Sequence, residues 1–167
     1  MWAGRGCFVY WGSLEEEFGV VFPADYMGLH DYFGPFSLDE SLSILGPGQI
    51  LQTRAEHREV IRKATRGKSG VYVSNGIGLS YPEIEGEFVD FDNLIRFGST
   101  DVGFSLYWHA SSRNPKAWGV LVGDGNQWYA FDMGVAELLV SVLSRDLTCP
   151  PLVDEEWPNE DTELIPL

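Results

Sequence analysis

The sequence predicts an α+β fold: helices first, then a central antiparallel sheet running as a meander, then a C-terminal helix packed on that sheet. Three observations predict it. Tyr26, Leu29 and Phe33 recur at helical spacing near the start. Further on, the apolar period shortens to two: Phe104, Leu106 and Trp108 alternate with Ser105, Tyr107 and His109, and Trp118, Val120 and Val122 alternate with Gly119 and Leu121. Helical spacing then returns at Val135, Leu138, Leu139 and Val142.

Each element has local signals. Ser13 and Glu16 have capping-box spacing at the head of a short helix that Gly19 closes. Pro23 suits the first turn of the second helix, and Gly34 with Pro35 ends it. The stretch 36–45 reads as extended and stops at Gly46-Pro47-Gly48. Thr53 and Glu56 suggest a second capping box, opening a helix to about Arg66 with Gly67 beyond its end. On that helix Arg54, Arg58 and Arg62 share a face and Glu59 can pair with Lys63, the pattern of a solvated helix face. Residues 67–90, rich in glycine and acids, read as loops with short strands. Asp124-Gly125 marks a hairpin, and Asp132 is placed to cap the last helix. The chain divides into one domain over 1–150 and an acidic, proline-containing tail over 151–167, read as irregular and docked through Trp157.

Hydrophobic residues make up 44% and aromatics 14% of the 167 residues, which excludes a generally disordered chain. No apolar run approaches the ~20 residues that cross a bilayer, and the start lacks the pattern of an export signal. Cys7 and Cys149 form no metal or redox spacing and suit a reducing compartment, so a cytoplasmic location is expected. The net charge is −14, from 25 acids and 11 bases. Residues 54–68 hold six of those bases and two of the acids, which leaves 5 bases against 23 acids elsewhere. Such a surface repels phosphate backbones, so no direct nucleic-acid binding is expected, and it attracts a basic protein partner.

Catalytic patterns fail on geometry. Ser99, Asp101 and His109 hold the residue types of a hydrolytic triad within 97–109. Ser99 and Asp101 read as parts of a Gly98–Gly103 turn, and His109 lies six residues past it, roughly 20 Å along a strand at ~3.3 Å per residue. The serine also lacks a nucleophile elbow. His30, His57 and His109 are scattered, His30 reads as a half-buried packing residue, and no phosphate-binding loop is present. Trp108, Trp118 and Trp128 read as core aromatics on adjacent strands rather than a stacking platform. Glu83, Glu85 and Glu87 alternate with Ile84 and Gly86, so a strand would set three carboxylates on one face. Their spacing does not match a calcium loop. No catalytic residue, metal or cofactor is assigned. Glu83, Glu85, Glu87, Asp90, Asp92 and Asp124 are the candidate partner-binding residues, on the expectation that aromatics ringed by carboxylates form the hot spots.

The order of motifs resembles the SUKH superfamily. Trp11 to Tyr26 runs W-x2-LE-x2-FG-x3-PADY, followed by Tyr32-Phe33-Gly34-Pro35. The second half is similar: Arg96 to Gly103 as RFGSTDVG, a strand ending in Trp108, Asn114 to Val122 as NPKAWGVLV, and a closing helix from Met133 to Leu143. Together these cover about residues 11–147. Relatives commonly carry Thr-x-Asn-Gly-Asp at the turn that here runs Thr100 to Phe104, so an acid gives way to an aromatic. The resemblance implies a non-enzymatic bacterial immunity protein that binds and blocks a cognate toxin, with a basic nuclease-type toxin domain as partner. Other branches imply a regulatory protein-interaction scaffold without a toxin.

Overall fold

The computed structural model describes residues 9–19, 21–73 and 87–167. It is α+β. Two helices come first, α1 (Trp11–Phe18) and α2 (Ala24–Phe33). A tight hairpin of β1 (Phe36–Leu38) and β2 (Leu42–Ile44) leads into α3 (Pro47–Ala64). β3 (Gly70–Val73) and β4 (Glu87–Asp90) form a separate two-stranded ribbon. Then β5 (Leu94–Thr100), β6 (Ser105–His109), β7 (Val120–Gly123) and β8 (Trp128–Phe131) run as the meander before α4 (Val135–Leu143). A final strand, β9 (Leu164–Pro166), closes the chain. The main sheet has seven antiparallel strands in the order β8-β7-β6-β5-β2-β1-β9.

Alternation assigns the meander's side chains to two faces, and both faces are covered. On one side Ile95, Phe97, Leu106, Trp108, Val120, Val122 and Phe131 pack with Tyr26 of α2 and the Val135–Leu138–Leu139–Val142 stripe of α4. Burying each aliphatic or Phe side chain there contributes about 1.5–3 kcal/mol. On the other side Leu94, Tyr107, Leu121 and Trp128 meet Ile61 of α3 and Val73, Val89 and Phe91 of the ribbon segment. Every residue of β6 is therefore buried. Trp108 and Trp128 are core aromatics as expected, on opposite faces, and Trp118 joins the Trp108 side. Gly98 lets β2 approach, since a Cβ there would lie 2.7 Å from the Ser43 carbonyl.

Several local signals were decided by longer-range contacts. α1 begins at Trp11, ahead of Ser13, without a side-chain cap, although Gly19 does end it with φ +63. The indole of Trp11 packs edge-on against Phe22, Tyr26 and His30, which fixes the helix start. α3 starts at Pro47, six residues before Thr53, because Gln49 Oε1 accepts the Gly46 amide at 3.1 Å and proline fits the first turn. Thr53 sits inside the helix with its hydroxyl bonded back to the Gln49 carbonyl. Glu59 pairs with Arg62 at 2.8 Å rather than with Lys63. Arg54 is not on a solvated face. It is half-buried in the sheet-facing stripe Ile50–Arg54–His57–Ile61. Gly134, not Asp132, precedes α4, and Asp25 of α2 accepts the Ala136 amide at 3.0 Å, a cap supplied from another helix. His30 is buried.

The C-terminal segment is ordered around Asp39. Asp39 and Glu40 both have positive φ, +49° and +61°, at the β1–β2 turn. Asp39 Oδ2 accepts Trp157 Nε1 at 3.0 Å and its Oδ1 accepts the Glu163 amide at 2.8 Å. Trp157 docks as expected, and residues 164–166, expected to be irregular, pair with β1 as the seventh strand. No helix among the described residues is long and apolar enough to cross a membrane.

Candidate protein-binding surfaces

The ribbon of β3 and β4 supplies exposed aromatics. Tyr72 and Phe88 face each other across it, with ring centroids 5.2 Å apart and exposures of 42% and 45%. Phe88 lies over Gly70, where a Cβ would stand 2.5 Å from the ring. A Cβ there would also stand 2.3 Å from the Val89 carbonyl, so any larger residue at 70 would spread the ribbon backbone as well as displace the ring.

The candidate acids near this ribbon do not form one patch. Glu83 and Glu85 lie outside the described residues. Glu87 is exposed and approaches Nδ1 of buried His109 at 3.9 Å. Burial lowers the His109 pKa and Glu87 opposes that shift. The pair borders an open cavity of about 500 Å³ between the ribbon and β7–β8, where Ser111 and Asp132 add further polar groups. Asp90 Oδ1 accepts the Asp92 amide at 2.9 Å and so caps the short 3-10 turn Phe91–Asn93. The Asp92 carbonyl takes a bond from Arg58 at 2.7 Å. Asp124 Oδ1 accepts the amides of Asn126 and Gln127, both at 2.7 Å, closing the β7–β8 hairpin beside the end of α3. Asp90 and Asp124 therefore have structural work as turn acceptors.

A denser acidic surface lies where the sequence suggested only a tail. Asp154, Glu155, Glu156, Glu160, Asp161 and Glu163 are all exposed, and the bonds to Asp39 hold their segment beside Glu40. Asp154 Oδ1 accepts the amides of Trp157 and Glu156, which lowers its pKa and keeps it ionised. Arg145 follows α4 and directs its guanidinium to the carbonyls of Pro158 and Asp154, so this cation binds backbone and pairs with no carboxylate of the described residues. Exposed Val140 and Leu143 lie within two turns of Arg145 along α4. The run Asp154-Glu155-Glu156 with Glu160, Asp161 and Glu163 was the available signal. Its fixation by Asp39 was not.

The triad types stay apart. Ser99 is in β5, paired with Ser105, whereas His109 pairs with Leu94 at the opposite end of the same two strands. Ser99 thus belongs to the strand rather than the turn, because β5 is extended to Thr100 by pairing with both β2 and β6. Asp101 bonds toward β2 through Ser41. Burial pushes the Cys149 thiol up to about 12, far from a reactive thiolate. Cys7 lies outside the described residues. Among the described residues no three His, Cys, Asp or Glu side chains are grouped to hold a metal ion. Comparison with protein-family models, with curated proteins and with solved structures found no match.

Proposed function

We propose that this chain is a non-enzymatic immunity protein of the SUKH type that binds and blocks a basic, nuclease-type toxin domain in the cytoplasm. The supporting observation is the ordered acidic surface of 154–163. The backbone that carries its six exposed carboxylates is held in place by Asp39 and by Arg145, which itself binds only backbone there. Such a surface loses little freedom on binding and complements the phosphate-seeking cleft of a nuclease. The motif order from Trp11 to Leu143 agrees with the same reading.

The test is coexpression with a candidate basic, nuclease-type toxin domain. Wild type restores growth, and the triple variant Glu155→Lys, Glu156→Lys, Asp161→Lys folds with an unchanged Tm yet gives no protection. The association rate of the purified pair falls as salt rises. Failure of wild type to protect, or full protection by the triple variant, would reject the proposal.

A further inference from the structure

The open cavity between the ribbon and the end of the main sheet is built by a step in side-chain size. On the ribbon-facing side, three neighbouring strands each pass from a large residue to a smaller one towards that end. The steps are Tyr107 to His109 on β6, Leu121 to Gly119 just ahead of β7, and Trp128 to Ala130 on β8. Val73 and Val89 of the ribbon line the opposite wall, and the volume of about 500 Å³ falls in the range of small-molecule sites.

The charged groups of this cavity have one sign. Glu87, across the ribbon from Val73, and Asp132, just past β8, are exposed and belong to its rim. Neither carboxylate pairs with a lysine or arginine among the described residues, and no lysine or arginine lines the cavity. His109 lines the buried part. It is 9% exposed, its imidazole makes no hydrogen bond among the described residues, and Glu87 stands 3.9 Å from Nδ1, beyond hydrogen-bond reach. A buried polar ring without a partner is costly, and a bound group would supply one. Burial, against the opposing effect of Glu87, holds the His109 pKa below its usual value, so the ring is neutral at pH 7 and does not repel a cation. His109, Glu87 and Asp132 are not gathered closely enough to hold a metal ion, which leaves an organic one.

We infer that this cavity binds a small organic cation, a primary amine or guanidine on a short apolar body. The body would lie against Val89, Leu121 and Ala130, and the charge would face Glu87 and Asp132. None of these residues belongs to the 154–163 surface, so this inference and the toxin-binding proposal stand or fall independently.

Calorimetry with phenethylamine tests it, beside neutral phenylethyl alcohol and anionic hydrocinnamate, which share its phenyl body. The amine should bind saturably, the alcohol about fivefold more weakly or worse, and the acid not at all. Glu87→Gln and Asp132→Asn should each weaken the amine about threefold, and together about tenfold, as suits exposed carboxylates. Both positions are exposed, so the variants keep the fold. Glu155→Gln should bind as wild type does. The ring-proton resonances of His109 should move on titration, while those of His30 and His57, which do not line the cavity, stay in place. Lack of saturable amine binding below about 10 mM would overturn the inference. So would equal binding of the amine and either analogue, wild-type affinity in the double variant, or unmoved His109 resonances.

Discussion

Replacing Asp39 with Asn probes the anchor of the acidic segment at a single atom. Asparagine tolerates the positive φ at this position and keeps the side chain's size, so the turn survives. It has one acceptor oxygen where aspartate has two, so the bond to Trp157 Nε1 at 3.0 Å or the bond to the Glu163 amide at 2.8 Å is lost. A bond to a charged acceptor contributes about 1.5–3 kcal/mol, which solvent access to this carboxylate reduces to about 1 kcal/mol. For a domain of this size that lowers Tm by about 2–4 °C. Amide exchange should quicken in 157–166 and stay unchanged in β6. The effect has a defined pH range. The Glu163 amide, ahead of the Trp157 indole, holds the Asp39 pKa below its usual value. A depressed carboxylate pKa stabilises fully above the unfolded value of about 4, and that contribution is lost as pH falls through the lower folded value. The gap between wild type and variant should therefore close in strong acid. Unaltered exchange in 157–166, or a Tm gap constant down to about pH 2, would refute the anchoring role.

Other substitutions test other contacts. Asp25→Ala removes the acceptor at the head of α4 and should cost about 1 kcal/mol by urea unfolding, with no change in the slope. Gly123→Ala sets a Cβ 2.3 Å from the Trp128 ring and should destabilise by about 1–3 kcal/mol, with a red-shifted tryptophan emission. Glu40→Gly relieves a side chain held at φ +61° and should raise Tm by a degree or more, or leave it level where the added chain entropy offsets the relief. A clear fall in Tm would mean that the Glu40 side chain contributes more than its conformation costs.

The meander was legible because alternation is a property of the strand itself. Leu106 and Trp108 identify one buried face whatever lies above them. That Tyr107 and His109 are buried too depends on α3 and the ribbon, which bring a second layer from far along the chain. Capping patterns were less dependable. Ser13–Glu16 and Thr53–Glu56 have the required spacing, but threonine inside a helix can bond its own preceding turn, and Thr53 does so. Gly46-Pro47 signals the start of α3, yet the same pair equally ends an extended stretch, and only the Gln49 bond to the Gly46 amide distinguishes the two. At the candidate surface, Asp124-Gly125 correctly marked a hairpin, and the same chemistry explains why Asp124 is occupied as an acceptor. The 154–163 acids were plain in the sequence, yet three apolar residues after them become a strand only because β1 offers an open edge.

That edge also bears on what the carboxylates are for. β9 ends the seven-stranded sheet, so its outer side presents backbone groups to any other extended chain. Carboxylates around a short edge strand, with Pro166 at its end, discourage such pairing. This role needs charge but is indifferent to its sign, because lysine protects edges equally well. Recognition of a basic toxin does depend on sign. The Glu155→Lys, Glu156→Lys, Asp161→Lys variant therefore separates the two roles. If the acids serve only the edge, the variant stays monomeric and protects as wild type does. If they also recognise a partner, it stays monomeric and protection is lost.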